Sequence, residues 1–339
     1  MKTTAGIKLL AGVALTTFFS VAHAADFYAG KTITMVVGAS SSGSYARYSN
    51  VLAKHMGKHI PGNPTIKVDF RGGGSGGLTA ANFLDNAVPK DGLFFGITQQ
   101  TIPLNQVLDP EKGNYDAGSW QWIGGISPVR NMLSLWHTAP AQTIEEAKKT
   151  EVKVGATGTS SPMFLVPHMM NEFLGTKFKI ILGYDGISGT NLAMEQGEVQ
   201  GRGASWLSVV QRTPQYIEKK LLKPIVVDAA TRDPMIPNVP TLTEVAPDEA
   251  TKQVFQLLSS ASVIGRSYFF PNGVPGERVA IVRKAFMETM KDPDFLAAAK
   301  KGRVTVEPVS HEELAEAVAG LKKMPSNVVN RAKAALAKK

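Results

Sequence analysis

The fold is decided by the stretch Thr32-Ile33-Thr34-Met35-Val36-Val37-Gly38-Ala39-Ser40-Ser41-Ser42-Gly43-Ser44, in which an apolar run leads into a loop of small residues. The apolar run predicts a β-strand at Thr32–Val37, and the residues after the loop predict a helix at Tyr45–Lys58. Glycine lets a ligand approach the loop backbone, because it has no Cβ. A helix N-terminus carries free N–H groups and partial positive charge, so this junction predicts an anion-binding site.

A second junction of the same kind follows along the chain. A strand is predicted at Thr65–Phe70, then comes the loop Gly72-Gly73-Gly74-Ser75-Gly76-Gly77, and a helix is predicted at Leu78–Ala87. Two such loops, each between a strand and a helix, predict a pincer around one small anionic group.

Strand-like and helix-like segments alternate through the rest of the chain. Further strands are predicted at Leu93–Thr98, Gln121–Gly125, Met132–Trp136, Val152–Ala156, Phe178–Leu182, Gln200–Gly203 and Pro224–Asp228. Further helices are predicted at Ile144–Thr150, Met163–Leu174, Gly189–Gln196, Val209–Ile217, Arg278–Lys291 and Glu312–Lys323. This alternation predicts α/β layers with mostly parallel strands.

Three more loops carry polar or aromatic residues directly after predicted strands. Ligand sites in α/β sheets collect at the carboxyl ends of strands, so these loops join the first two as candidate site segments. Trp206 has two interpretations, since its ring suits stacking on a ligand and also filling a core. The candidate residues in these loops are Thr157, Thr159, Ser160, Tyr184, Asp185, Ser205 and Trp206.

The N-terminal segment predicts export. Lys2 and Lys8 form a positive region, Leu9–Ser20 is a short apolar stretch, and Ala22-His23-Ala24 fits a cleavage site. We therefore expect residues 1–24 to be a signal peptide and the mature chain to begin at Ala25. The apolar stretch is too short to span a membrane comfortably, and the remaining length suits two domains of roughly 150 residues.

Composition excludes several classes of function. The chain has no cysteine, which removes disulfides, thiolate metal sites and thiol nucleophiles. The formal net charge is +9, but the basic residues are scattered and do not alternate with aromatic residues. No nucleic-acid-binding module is visible, so we expect no nucleic-acid partner.

The second loop also contains a possible nucleophile. Gly73-Gly74-Ser75-Gly76-Gly77 matches the G-x-S-x-G pattern, which in hydrolases exposes a nucleophilic serine on a sharp turn. Such an enzyme needs a histidine further along, and His137, His168 and His311 are the candidates. A loop rich in glycine matches the pattern easily, so a serine hydrolase using Ser75 is retained only as an alternative.

Nucleotide and metal sites have little support. Neither loop ends in the Gly-Lys-Ser/Thr of a phosphate-binding P-loop. The glycine spacing in the second loop resembles a dinucleotide fingerprint, but the acid that should follow falls on Asp91, in a predicted turn. His55 and His59 are spaced for one helix face, yet basic residues at a helix end more often complement the helix dipole. We expect no metal and no cofactor.

Seven segments, in this order and spacing, carry a resemblance to a known family: Lys31–Gly38, Gly74–Asn82, Pro89–Gly92, Gly183–Gly186, Asn191–Val199, Asn238–Leu242 and Lys291–Phe295. From Phe27 to Ala332 the chain resembles the substrate-binding proteins of tripartite tricarboxylate transporters, the Bug family of periplasmic receptors. It differs from that pattern in the first loop, where Ser40-Ser41 stand in place of common prolines and Ala46 in place of an aspartate.

The resemblance implies a type II periplasmic-binding-protein fold, in which two α/β domains joined by a hinge enclose a ligand cleft. It implies one domain from residues 25–127 plus 259–339 and a second from residues 128–258. It further implies a monomeric periplasmic receptor, not an enzyme, that binds a small organic carboxylate and delivers it to the membrane subunits of a transporter. A receptor that feeds a sensor kinase is the alternative partner hypothesis.

The ligand-binding residues that the loops and the resemblance together predict come from both domains. Arg130 and Arg202 are further candidates for contact with a second acidic group, and Tyr45, Tyr184 and Trp206 for contact with an aromatic ring. The predicted site comprises Ala39, Ser40, Ser41, Ser42, Gly43, Ser44, Tyr45, Gly74, Ser75, Gly76, Gly77, Thr157, Thr159, Ser160, Tyr184, Asp185, Ser205 and Trp206.

Overall fold

The computed structural model describes residues 27–72 and 77–337, so the predicted signal peptide and Gly74, Ser75 and Gly76 lie outside the described residues. The described residues form ten strands in two five-stranded sheets. The strands are β1 Thr32–Val37, β2 Thr65–Phe70, β3 Phe94–Ile97, β4 Gln121–Gly125, β5 Asn131–Trp136, β6 Val152–Gly155, β7 Phe178–Ile181, β8 Gly201–Ser205, β9 Leu222–Asp228 and β10 Ser267–Phe270.

The first sheet has the strand order β2-β1-β3-β10-β4. β1 pairs in parallel with both β2 and β3, and Val37 lies in register with Phe70 and with Ile97. The loops that follow these three strands therefore leave the sheet at one edge. We call the part of the chain around this sheet the first lobe.

The second sheet has the order β7-β6-β8-β5-β9, and the part of the chain around it is the second lobe. β6 pairs in parallel with β7 and β8, whereas β5 is antiparallel to β8 and β9. In the first sheet β10 is likewise antiparallel to its two neighbours. In each sheet, the antiparallel strand (β5 or β10) is the first strand that the chain enters after it leaves the other sheet. The other four strands of each sheet run in one direction, which confirms the prediction of mostly parallel strands.

Thirteen α-helices pack around the sheets in the described residues. They are α1 Ser44–Met56, α2 Leu78–Asn86, α3 Ile102–Leu108, α4 Ile144–Ala147, α5 Pro162–Leu174, α6 Gly186–Glu195, α7 Trp206–Arg212, α8 Pro214–Glu218, α9 Glu249–Ser259, α10 Gly276–Thr289, α11 Pro293–Lys301, α12 His311–Lys322 and α13 Ser326–Ala337.

The helix predicted over Val209–Ile217 is divided in two at Thr213. Pro214 has no N–H to donate into the preceding turn and is favoured at the first position of a new helix, so α7 ends and α8 begins there. The sequence patterns did not predict β10, α3, α9, α11 or α13.

The C-terminal helix α13 packs against both lobes. It packs against α3, which precedes β4, and against α5, which follows β6. Its buried residues Val328, Ala332 and Ala335 belong to one hydrophobic cluster that also holds Val36 of the first sheet and Leu133 of the second. The lobes therefore share a continuous apolar core. Within residues 27–72 and 77–337, no helix has the length and apolar character needed to cross a membrane.

Candidate functional site

A cleft lies between the lobes, at the edge where the parallel strands of both sheets end. It contains about 840 Å³ of space that protein atoms do not occupy, including the part open to solvent. Nine of the predicted site residues line it: Ala39, Ser40, Gly43, Ser44, Tyr45, Gly77, Thr157, Asp185 and Ser205. Thirteen further residues complete the lining: Gly38, Gly72, Gln99, Gln100, Val129, Asn131, Pro162, Met163, Gly186, Ile187, Gly203, Ala204 and Arg266.

The first two loops lie directly against each other. A Cβ on Gly72 would stand 2.7 Å from the carbonyl carbon of Ala39 and from the nitrogen of Ser40. A Cβ on Gly38 would stand 3.1 Å from the Cα of Gly77, whose φ of +92° is one that glycine adopts without strain. Glycine in these loops therefore brings two stretches of backbone together at the cleft wall.

Four helices begin at the cleft with uncapped N-termini. Within the described residues, α1, α2, α5 and α6 have no side-chain hydrogen bond at the residue that precedes the helix. Those residues are Gly43, Gly77, Ser161 and Asp185. The two glycines have no side chain, and the hydroxyl of Ser161 donates to the carbonyl of Gly158 at 2.9 Å. The dipoles of these helices favour a negative charge in the cleft, although α5 offers fewer free N–H groups because it begins with Pro162, which has none.

Four helices that begin elsewhere carry side-chain caps, whereas α3, α8 and α10 have none. Thr143, Asp248, Asp292 and Ser310 each accept a hydrogen bond from a backbone N–H in the first turn of α4, α9, α11 and α12. One cleft helix, α7, is capped in the same way by Ser205. Capping side chains are thus absent at four of the helix starts that line the cleft, which leaves their N–H groups available to a ligand.

Besides Arg266, whose buried Nε is also unpartnered, three polar side chains of the lining have buried atoms without a hydrogen-bond partner among the described residues. They are Oε1 of Gln100, Nδ2 of Asn131 and Oγ1 of Thr157. The Gln100 amide is oriented by its Nε2, which donates to the carbonyl of Val129 at 3.2 Å. Buried polar groups are normally paired, so these atoms indicate a polar ligand or ordered water in the cleft.

A buried arginine and a tyrosine lie side by side at the cleft. The hydroxyl of Tyr45 lies 3.4 Å from the carbonyl of Gly265, next to Arg266. Burial raises the pKa of the Tyr45 phenol, and the positive charge of Arg266 opposes that rise in part. Sequence analysis missed Arg266 because it did not predict β10. The aromatic run Ser267–Phe270 is the signal that would have revealed that strand.

Three predicted residues of the second lobe lie outside the cleft lining. The hydroxyl of Thr159 accepts a hydrogen bond from Lys112 at 2.7 Å, and Ser160 is buried with its carbonyl bound by Thr101 and Asn105. Tyr184 donates its hydroxyl to Glu198 at 2.6 Å. These side chains make contacts within the protein.

The remaining predicted residues outside the lining are Ser41, Ser42 and Trp206. Ser41 and Ser42 are exposed on the rim of the first loop. Trp206 packs in a hydrophobic cluster of the second lobe, so the structure places its ring in a core and not against the cleft.

The two arginines predicted as secondary contacts also lie outside the lining. Arg202 is fully buried, and its Nε donates to the Asn191 side chain at 2.6 Å. Arg130 faces Glu307, with 3.8 Å between its Nη1 and the carboxylate.

Contacts across the mouth of the cleft join α7 to the first lobe. Arg212 donates from Nη2 to the carbonyl of Ser42 at 2.5 Å and to the hydroxyl of Ser188 at 3.0 Å. Arg303, which follows α11, donates in the opposite direction to the carbonyl of Gln211. These bonds hold the lobes in a closed arrangement.

Comparison with known proteins supports this architecture. No family model matches the chain. A protein encoded in the tcbD–tcbE intergenic region of a Pseudomonas species is 24% identical over 307 residues, covering 87% of this chain and 84% of that one. The periplasmic binding protein BugD superposes with a TM-score of 0.69 at 21% identity, covering 91% of this chain and 98% of its own.

A second solved structure is equally similar. Malate-bound MatC of Rhodopseudomonas palustris superposes with a TM-score of 0.69 at 18% identity, covering 91% of this chain and 99% of its own. The predicted resemblance to Bug-type periplasmic binding proteins is thus confirmed, and with it the two-lobed α/β fold of that class.

Proposed function

We propose that this chain is a periplasmic solute-binding protein of the tripartite tricarboxylate transporter type, and that it binds a small organic carboxylate in the cleft. The observation that carries the proposal is the set of four uncapped helix N-termini at one cleft. Together they present N–H donors and partial positive charge from both lobes. A carboxylate offers acceptor oxygens and a negative charge to match.

The first loop and the start of α2 provide one side of the proposed carboxylate site. Backbone N–H groups of Ala39–Ser44 and Gly77 donate to the carboxylate, together with the hydroxyls of Ser40 and Ser44. From the second lobe, Thr157 and Ser205 close over the ligand. Hydrogen bonds to a charged group contribute about 1.5–3 kcal/mol each, so a few of them suffice for micromolar affinity.

Delivery of the ligand rests on a hinge between two domains. We propose that residues 25–127 plus 259–339 form one domain and residues 128–258 the other. The chain crosses between the sheets after β4 and again before β10, which supports this division. Closure around a ligand then creates the surface that membrane transporter subunits recognise. The malate bound to MatC supports a small carboxylate as ligand.

The surroundings of the three candidate histidines favour a binding protein over a serine hydrolase. A hydrolase using Ser75 needs a histidine base at the cleft. His168 instead bonds the carbonyl of Ala335 at 3.0 Å, and His311 faces Glu312 at 2.9 Å. His137 lies beside Trp136 at the end of β5. None of the three lines the cleft in the described residues.

The test is a calorimetric titration of the purified mature protein with mono-, di- and tricarboxylates and aromatic acids, each beside its amide. We expect at least one carboxylate to bind and its amide to bind much more weakly. Thr157→Val removes an unpartnered hydroxyl from the cleft and should weaken binding about tenfold, equivalent to ~1.4 kcal/mol. Thr231→Val, at an exposed position of the second lobe outside the lining, is the matched control. Binding of amides alone, or equal effects of the two variants, would contradict the proposed site.

A further inference from the structure

Arg266 is a buried cation in the wall of the cleft. Its exposed fraction is 2%. Its Nη1 donates to the Ser127 hydroxyl at 3.2 Å and approaches the carbonyl of Pro128 at 3.5 Å. The guanidinium carbon lies 4.2 Å from the centroid of the Tyr48 ring. Its Nε has no hydrogen-bond partner among the described residues.

No described carboxylate lies within ion-pair distance of this guanidinium. Two acids, Asp233 and Glu307, line a smaller neighbouring pocket that Arg266 also borders. Glu307 faces Arg130 instead, and Asp233 accepts the backbone N–H of Met235 at 2.9 Å. Asp185, the acid in the cleft lining, is exposed to solvent.

A buried cation without a counter-ion is unfavourable, because hydroxyl, carbonyl and aromatic contacts replace only part of its hydration. A buried guanidinium is therefore expected where a negatively charged group can neutralise it. Of the two pockets that Arg266 borders, the cleft is the larger and is the one that the helix N-termini surround. The guanidinium also presents paired N–H groups that match a carboxylate.

The position of Arg266 differs from that of the two small-residue loops. Its bonds to Ser127 and Pro128 place it beside the crossing between the sheets, at the hinge end of the cleft. Tyr45 starts at the first loop and reaches Gly265 with its hydroxyl. The length of a tyrosine side chain therefore separates the loop from the neighbourhood of Arg266.

We propose that Arg266 is a specificity-determining residue, the counter-ion of a second acidic group on the ligand. This inference rests on the proposed function, in which the first carboxylate is held by the loops and the helix N-termini. The ligand is then a dianion whose second acidic group points to the hinge end. Asn131, with its unpartnered Nδ2 in the same lining, donates to that group as well.

The experiment compares dicarboxylates with their monomethyl esters, which keep the shape but lose one charge. Aliphatic and aromatic dicarboxylates are titrated by calorimetry into the wild type, Arg266→Gln, Arg266→Lys and the control Arg232→Gln. We expect the wild type to bind its best diacid at least tenfold more tightly than the ester. Arg266→Gln should bring that ratio close to one by weakening the diacid alone.

The two other variants separate charge recognition from structural support. Arg266→Lys keeps the positive charge and should keep most of the preference for the diacid. If Arg266→Gln does not fold, loss of the preference in Arg266→Lys would overturn the inference. Arg232→Gln should leave the preference unchanged, because Arg232 bonds Glu244 and the carbonyl of Pro237 outside the cleft lining. Equal binding of diacid and ester by the wild type overturns the inference, as does a preference that survives Arg266→Gln. A parallel loss of diacid and ester binding in Arg266→Gln overturns it too. Binding of no carboxylate at all would instead overturn the proposed function.

Discussion

At the scale of single residues, the course of the first cleft loop depends on a glycine in the second. Gly72 packs against Ala39 and Ser40 so closely that a methyl group has no room between them. The atoms it would meet are backbone atoms, which cannot turn away as a flexible side chain does. A side chain at residue 72 must therefore displace the loop that carries the proposed carboxylate donors.

Gly72→Ala is expected to weaken binding of the best carboxylate at least tenfold while lowering stability only slightly, because the strain falls on a surface loop. Calorimetric titration gives the affinity, and a urea melt gives the free energy of unfolding. Gly276→Ala is the control, since a Cβ there meets no atom within 4 Å. An unchanged affinity in Gly72→Ala would show that the loop position does not control binding.

Asp228 gives the protein a specific dependence on pH. It lies buried at the end of β9, where burial raises the pKa of its carboxyl to about 6 and the Ser259 hydroxyl, donating at 3.0 Å, lowers it only in part. The folded protein therefore holds this proton more tightly than the unfolded chain does. As pH rises from about 4 to about 6, the unfolded chain binds fewer protons and this group's contribution to stability falls.

Asp228→Asn should remove that contribution, because an amide does not ionise. Relative to the wild type, the variant should gain on the order of 3 kcal/mol in free energy of unfolding between pH 4 and pH 7. Urea melts at several pH values measure the difference. The exposed Glu151→Gln serves as the control. A constant offset between Asp228→Asn and the wild type would contradict the assignment.

At the scale of elements, some helix starts are capped by a side chain, and four of the uncapped ones lie at the cleft. The pattern Ser310-His311-Glu312-Glu313 predicts a capping box at α12, and Ser310 and Glu313 form it. At α4 the Thr143 hydroxyl caps the helix, but the Glu146 carboxylate reaches the N–H of Gln142 at 2.6 Å and not that of Thr143. Local sequence therefore predicts the capping side chain well. Which backbone N–H the glutamate accepts depends on the conformation of the residues before the helix.

The two arginines at the cleft mouth connect elements of opposite lobes. Arg212→Ala together with Arg303→Ala removes these contacts and favours an open arrangement. Since only the closed arrangement binds with full affinity, we expect a larger radius of gyration without ligand and a several-fold weaker affinity. Small-angle scattering and calorimetry measure the two effects.

Arg232→Ala is the matched control for that pair. Arg232 bonds Glu244 and the carbonyl of Pro237, all within the second lobe, so its loss should not alter how the lobes meet. If the double variant scattered and bound like this control, the contacts at the mouth would have no part in closure.

At the scale of the whole molecule, α13 connects the hydrophobic cores of both lobes. Besides its apolar face, its Arg331 donates to the Thr251 hydroxyl at 3.1 Å, and the carbonyl of Ala335 bonds His168 of α5. Because the cluster is continuous, we expect the lobes to unfold in one transition, with opening limited to the side of the cleft away from α13.

Ala332→Asp places an unpaired carboxylate at a fully buried position of α13. The cost is about 3 kcal/mol or more, which lowers Tm by roughly 5 °C or more. Scanning calorimetry should show one transition in the wild type and the lowered Tm in the variant. Ala334→Asp, on the exposed face of the same helix, should change Tm little. Two separate transitions in the wild type would contradict a shared core.

Much of the architecture follows from local patterns. β1, β2 and β4 have the predicted bounds, because their apolar runs are flanked by clear turn residues. β10 was missed because it is short and buried among strands of distant sequence, and α13 because its apolar residues are small. Short elements whose stability comes from tertiary packing leave little periodicity to detect.

The sequence by itself determined the alternation of strands and helices and the small-residue loops at the carboxyl ends of strands. These depend on neighbouring residues, whose spacing and conformational freedom are local properties. Only the tertiary structure decided which strand reverses in each sheet, which helix starts stay uncapped at the cleft, and that Arg266 is buried there without a carboxylate partner in the described chain. Those features depend on residues far apart in the chain meeting in a low-dielectric space, where an unpaired charge or donor becomes costly enough to indicate a ligand.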